Sequence, residues 1–519
     1  MAREKEELKP LMEHKPPKLM LEDRFVKYNL LYEFADACAH KAVATVLAIF
    51  FLEGLLFSEN ASAQLVHLFI YCSYGSGITG SLVSHGFLGV YLSTFLFASM
   101  QIGGYLLLVL TALPQFSAFS FLLFAGLLLA SVGFGANKTC FVTYGCQQVK
   151  ESVERRRRGR RELEYGGWSG DKELDLTSSS EERIASQRYL TTIMMGSQAG
   201  YIFSTFFTPI IRVKGAGSYF YVFLLPLVSK TVGTLAFWLG RDDVDSEGSS
   251  SIKQGDKSCQ ESVGEHTKLI DGGLAKAEDC PTRTWDEYKA LLSALIVLLP
   301  LIVYAALAAQ GGSTWVFQAR RMNGQLPWLG DWTIPPDQMP VIGQVLTILF
   351  MPLFEMVVYP FCDKYIVNLT SLRKLVLALL TISTAFTVSG ILEMVIDSDL
   401  RKNGAEQADI SIFWQVPPFA LMAASDTLFL VSIAHFTYHE APDSMKSAVS
   451  GVMHTIIAFG NLITISVIGA LGQDAPKFEE CFVFAAIGFV AALILAGLGY
   501  CYVPRLTRES RKQNLYDKL

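Results

Sequence analysis

The chain has 519 residues, 51% hydrophobic and 18% charged, with 43 Lys and Arg against 48 Asp and Glu, a formal charge of −5. A soluble protein of this size carries nearer a quarter charged residues, and many windows here reach the roughly 20 apolar residues of a spanning helix. That balance argues against a soluble protein, and it leaves nucleic-acid binding without support beyond one short basic run.

The first 30 residues are charged and hold Pro10, Pro16 and Pro17, which does not fit a cleavable signal peptide. They are expected to form a cytosolic tail, with the first spanning helix as the uncleaved signal. Candidate spans then run over 31–57, 62–84, 87–112, 117–145, 187–211, 217–239, 286–309, 338–361, 371–396, 411–438, 444–470 and 481–504. The fifth opens on QRYLTTIMMGSQAG, polar for lipid, so it is expected to face a bundle interior. The expected architecture is an all-α integral membrane protein. It has an N-terminal six-helix bundle (31–239), a linker (240–284), a C-terminal six-helix bundle (285–504) and a tail (505–519). The linker is rich in Ser, Gly, Asp and Glu and has no periodicity.

Loop charges give the orientation, because cytosolic loops carry the excess of Lys and Arg. Arg155–Arg158, Arg160 and Arg161, then Lys364, Arg373, Lys374 and Lys446, then Arg505, Arg508, Arg511 and Lys512, share one side if both termini are cytosolic. Arg320 and Arg321 are the exceptions. The run ERRRRGRR at 154–161 admits a nucleic-acid reading, but it is better read as a topology determinant that also touches anionic lipid. Asn60-Ala61-Ser62 is a sequon on the expected outer side. The nine cysteines show no metal-ligand spacing, and no structural disulfide is expected.

The stretch 411–461 carries the chemistry. Two apolar runs flank the polar turn HEAPDSMKS, and the first run contains Asp426 and His435. Hydrocarbon penalises an ionised side chain by at least ~2.5 kcal/mol, so such an acid points to a protein interior or an aqueous path. Pro417 and Pro418 are expected to break this helix, as in transporters whose helices are interrupted at a binding site. On the first span Glu33 and Asp36 lie three apart and share a face.

Several motifs then become recognisable. QGGSTWVFQARRMNG at 310–324, WQVPPFALMAASDTLF at 414–429 and HFTYHEAPDSMKSAVSGVMHTIIAFGN at 435–461 resemble the proton-coupled oligopeptide transporter family, within the major facilitator superfamily. SVGFGANKTCFVTYGCQQ at 131–148 and GSQAGYIFSTFFTPIIR at 196–212 are weaker matches. The resemblance implies a twelve-helix major facilitator fold and proton-driven transport of small peptides or a related small polar or zwitterionic solute. No cofactor beyond the coupling proton is implied, and no catalysed reaction.

The departures are specific. Where the family carries E-x-x-E-R-F-x-Y-Y, this chain keeps Glu33, shortens the second acid to Asp36, and replaces the arginine by Ala37 and the tyrosines by His40 and Lys41. Other family positions map onto Met194, Ala309, Gly343 and Met453. Lys138, Tyr74, Gln310 and the acid Asp426 survive. By resemblance, proton coupling and gating fall to Glu33, Asp36, Lys138 and His67, the last matching a helix-two histidine of animal peptide transporters. Asp426, Lys41, Tyr74, Gln310, Trp315 and Phe429 are the expected substrate contacts. His85 and His435 also replace family acids, with a structural role the leading reading for both.

The missing arginine and seventh-helix acid leave room for a facilitator or exchanger without proton drive. The long linker leaves room for a receptor or scaffold that does not cycle. Glu265–Ile270 and Glu7–Met12 resemble acidic dileucine signals, which cytosolic sorting adaptors would read at the plasma membrane or the endosomal and lysosomal membranes.

Overall fold

The computed structural model describes residues 24–113, 115, 120–164, 173–214, 219–240, 296–326, 332–365, 369–404, 407–440, 446–472 and 475–502. Both dileucine-like pairs, the linker and the centre of the turn at 441–445 lie outside the described residues, as do the side chains of His85 and His435.

Helices account for nearly all of the described chain. In order they are α1 (Arg24–Ile49), α2 (Glu59–Gly75, continued by Gly77–Val83), α3 (Val90–Thr111), α4 (Ser120–Glu164), α5 (Glu173–Lys214) and α6 (Tyr219–Leu239). Then follow α7 (Leu301–Ala308, continued by Thr314–Arg320), α8 (Pro340–Leu353), α9 (Ser371–Asn403), α10 (Val416–Glu440), α11 (Lys446–Leu471) and α12 (Lys477–Cys501). Nine segments among the described residues are long and apolar enough to cross a membrane. The other three predicted spans correspond to α2, α5 and α10; α2 is split at Ser76, and α5 opens on a polar run.

Two expectations are corrected. Pro417 and Pro418 do not break a span: they sit in the first turn of α10, after a 3-10 turn Ile412–Gln415. The first helical residues have no intrahelical acceptor for their N–H groups, so proline there removes no bond. The seventh span does not stop at 309. A 3-10 segment Ala309–Gly312 carries it past the glycine pair, and it resumes as helix to Arg320. The motif that carries the resemblance is therefore inside the span, at its kink.

Local chemistry sets the ends. Ser58 caps α2, accepting from the Ala61 N–H at 3.3 Å. Gly404 closes α9 in the left-handed region (φ 60°), where its N–H returns to Leu400 O at 2.9 Å. Both amide atoms of Asn60 are engaged: Nδ2 donates to Gly472 O, and Oδ1 accepts from Lys477.

The chain divides into two compact units that cut through individual helices. In one (1–35, 142–197 and 231–274), Tyr32 packs on Phe237 with ring centroids 5.1 Å apart, and Tyr144 meets Phe237 edge-on at 5.3 Å. Asn29 Nδ2 there donates to Gln148 Oε1 and Tyr189 Oη, both at 3.1 Å. The other unit (36–141, 198–230 and 275–519) holds one large apolar core, in which α9 packs on α10 and α12, and α2 packs on α11.

Lipid gives no hydrophobic drive between helices, so close backbone approach through small residues carries much of the packing. The tightest case joins α2 and α4. A Cβ on Gly135 would lie 1.7 Å from Ser73 O, and one on Gly80 would lie 2.2 Å from Ala136 O. Gly103 of α3 has nothing within 4 Å of such a Cβ. Gly135→Leu is therefore expected to abolish the monodisperse peak of detergent-solubilised protein in size-exclusion chromatography, whereas Gly103→Leu leaves it intact.

Candidate functional site

The polar centre of α1 faces protein, as its acids require. Glu33 is fully buried and accepts from Ser197 Oγ of α5. Asp36, 1% exposed, forms an ion pair with Lys230 of α6, itself fully buried. An ion-pair partner of Asp36 is thus on α6. Lys230 was legible by the rule that singled out Asp426: it is a lone charge inside the apolar run FYVFLLPLVSKTVGTLAFWLG. Ala37, at the place of the missing arginine, is fully buried and too small to supply a charge.

One turn beyond Asp36, the His40 ring stacks on Phe134 of α4 with centroids 3.6 Å apart, and on Phe69 of α2 at 5.2 Å. His40 is 4% exposed, and its Nδ1 has no hydrogen-bond partner among the described residues. The charges of Asp36, Lys41, Lys138 and Lys230 all act on this ring. Lys41 and Lys138 are half-buried. Tyr74 is half-buried too; it bonds Tyr201, feels the Lys138 charge, and packs on His454 of α11 at 5.9 Å. Lys138 thus acts on both His40 and Tyr74, and Lys41 follows His40 on α1.

A second centre lies between α7 and α10. Tyr304 Oη donates to Asp426 Oδ1 at 2.5 Å, and the Tyr304 ring stacks on Phe429 at 4.0 Å and 8°. Asp426 is half-buried, and no cation pairs with it among the described residues. Tyr304 has no motif signature and was not legible in the sequence. Gln310 is fully buried, donating to Ala306 O at 3.4 Å, with Oε1 unpartnered among the described residues. The substrate contact expected of Trp315 does not match its placement. It is 1% exposed, held between Phe386 at 5.4 Å and Phe419 at 4.9 Å, because the kink at Ser313 turns it into the core.

His67 is fully buried and bridges three helices. Its Nδ1 pairs with Asn461 Oδ1 of α11 at 2.8 Å, and its Nε2 with Ser313 Oγ of α7 at 2.9 Å. Arg212 of α5 makes a two-pronged contact with Asp337, Nε to Oδ2 at 3.1 Å and Nη2 to Oδ1 at 2.8 Å. Glu53 lies 3.9 Å from Arg212 and 2.9 Å from Arg320. Arg321 pairs with Glu393, and with Asp397 at 3.5 Å. The two arginines that violated the charge rule are thus neutralised by acids, and report folding contacts rather than topology.

A profile of the POT family (PTR2) matches residues 91–260 and 246–482. The rat protein named solute carrier family 15 member 2 is 27% identical over 409 residues, covering 75% of this chain and 51% of the rat protein. Peptide transporter family 1 of Caenorhabditis elegans is 27% identical over 490 residues, covering 86% of this chain and 55% of the nematode protein. The chain spans about half the length of the curated relatives it matches. Among solved structures, an auto-inhibited POT family peptide transporter superposes with TM-score 0.71 at 19% identity, over 93% of this chain and 98% of that one. The POT family transporter PepTSo superposes with TM-score 0.69 at 19% identity, over 94% and 99%. The chain belongs to the POT family, a family of membrane transporters rather than enzymes, and has its major facilitator fold.

Removing one partner of a buried ion pair strands the other charge at a cost of about 3–5 kcal/mol. Asp337 is fully buried. Arg212→Leu is therefore expected to lower the unfolding temperature in detergent markedly, and adding Asp337→Leu to recover most of the loss, as read by scanning fluorimetry.

Proposed function

We propose that this chain is a proton-driven symporter of small peptides, or of related small zwitterionic solutes, working by alternating access of its two helical bundles, 31–239 and 285–504. The observation that carries the reading is Asp426: a half-buried carboxylate inside a helix, oriented by a neutral tyrosine and paired with no cation among the described residues. A carboxylate so placed offers its charge to a solute ammonium. The half-buried lysines Lys41 and Lys138 offer the complementary charge for a carboxylate. Named relatives are peptide transporters, and a POT structure carries a thioalcohol-conjugated peptide.

Placement supports the following roles. Asp426, Lys41 and Tyr74 take the solute, with Phe429 holding Tyr304 in line and Gln310 supplying a neutral polar group. Glu33, Asp36, Lys138 and His67 carry coupling and gating. Protons are the coupling ion, and no resident cofactor is needed. Both termini face the cytosol, the basic run at 154–161 meets anionic lipid, and sorting adaptors choose between the plasma membrane and the endosomal and lysosomal membranes. A second reading, exchange without proton drive, draws on Ala37 and Ala309, where the family carries charges.

Uptake of labelled dialanine into proteoliposomes separates the two. The symport reading expects accumulation that depends on an alkaline interior; equal uptake with and without the gradient would establish exchange. Within the symport reading, Asp426→Asn keeps the Tyr304 hydrogen bond and removes the charge. It is expected to weaken dialanine binding by ~1.5–3 kcal/mol, the range of a charge-assisted contact, in a direct titration. Unchanged affinity would rule out an amine anchor at Asp426.

A further inference from the structure

We infer that Glu355 of α8 is a second anionic contact on the solute path, and that it takes a second cation of the solute, the ammonium of a basic side chain. The inference rests on the reading of Asp426 as an ammonium anchor, and adds to it the class of solute that the path favours.

The sequence isolates the residue. From Pro340 to Phe361 it is the single charge in PVIGQVLTILFMPLFEMVVYPF. The helix continues past Leu353 through a π turn, Phe354–Val358, into Tyr359–Tyr365. A π turn widens the helix locally, and such bulges recur at functional sites. Glu355 lies in this one, exposed, with no hydrogen bond or ion pair among the described residues. Lys374 of α9 does not pair with it: its Nζ lies over the Tyr359 ring, 3.6 Å from the centroid.

An ionised side chain on lipid is costly, so an exposed carboxylate without a partner inside a span calls for an aqueous path. The strip it belongs to agrees. α8 packs through Pro340, Gly343 and Thr347. Gln344 lies eleven residues, three turns, before Glu355 and so on the same side. It is half-buried, and its Oε1 has no hydrogen-bond partner among the described residues. Ile348, 42% exposed, lies between them. Two polar side chains with unmet capacity on one side of a helix mark that side as the one turned from lipid.

Depth relates Glu355 to Asp426. A Cβ on Gly343 would lie 3.2 Å from the Phe419 ring, which puts Gly343 of α8 and Phe419 of α10 at one level. α9 crosses between them in the chain, so α8 and α10 run the same way, and the two pack together. Asp426 is seven residues beyond Phe419, and Glu355 is twelve beyond Gly343. At about 1.5 Å per residue, Glu355 lies about 7.5 Å further along. An ammonium held at Asp426 leaves a second one, on the flexible four-carbon stem of a lysine, within range of Glu355.

The test uses full-length protein in detergent and two probes, dialanine and alanyl-lysine, titrated directly. Wild type is expected to bind alanyl-lysine about tenfold more tightly than dialanine, the scale of one charge-assisted contact. Glu355→Gln is expected to lose that preference and to bind dialanine within about twofold of wild type. Glu355→Asp keeps the charge and is expected to keep the preference, which a packing role would not restore. Equal measured affinity for the two dipeptides in wild type, or a preference that survives in Glu355→Gln, overturns the inference.

A readout free of peptide separates this from the reading of Asp426. Ile348→Cys, with and without Glu355→Gln, is modified with water-soluble cationic and anionic methanethiosulfonates, and rates are taken above the wild-type background. Glu355 is expected to favour the cationic reagent, and Glu355→Gln to lower the ratio of cationic to anionic rate at least about threefold, as loss of a local negative potential requires. No modification at position 348, or a ratio unchanged by Glu355→Gln, overturns the inference. A lowered ratio with neither dipeptide bound supports the cation site and sinks only the choice of solute.

Discussion

Charge has no solvent inside a bilayer, and that constraint arranges the polar residues of this chain. An ionised side chain in a spanning helix must meet an opposite charge, a hydrogen-bonding group or an aqueous path. The first two occur here. Asp36 meets Lys230, Asp337 meets Arg212, and Glu393 meets Arg321. Glu33 meets a serine hydroxyl, and Asp426 a tyrosine hydroxyl. A hydroxyl orients a carboxylate without neutralising it.

Replacing an arginine by alanine at position 37 changes more than one contact. Arginine presents a rigid planar fork, whereas lysine is a point charge on a flexible stem. A cation on α6 rather than α1 moves that charge to another helix and makes the α1–α6 contact depend on it. Lys41 and Lys138 are likewise point charges without the geometry of a fork.

The legible part of the fold was the part governed by hydropathy. The predicted spans correspond to helices wherever the residues are described, because twenty apolar residues in lipid have little other choice. Interruptions were harder. Pro417 and Pro418 read as a break, but proline is silent in a first turn, and only the structure locates that turn. Gly311 and Gly312 read as an end, but a 3-10 segment absorbs them. In the site, positions were legible and partners were not. Asp36 and Lys230 are 194 residues apart in sequence, and no local pattern joins them. Tyr304 illustrates the same limit: one tyrosine among 20 gains meaning only from the carboxylate it touches.

The contacts between helices of the two sequence halves differ in strength, and the difference bears on how such a protein moves. His67 bridges α2 to α7 and α11 through two neutral hydrogen bonds, each worth on the order of 1 kcal/mol net. Arg212 and Asp337 form a two-pronged charged contact in which the acid is fully buried, and separating it without a replacement partner costs about 3–5 kcal/mol. The charged contact is therefore the stronger of the two. Glu53 lies between Arg212 and Arg320 and supplies what an abrupt break lacks. As Arg212 leaves Asp337, a second carboxylate is already within ion-pair distance, so its guanidinium is never without an anion. The cost of separating the pair then falls mainly on Asp337.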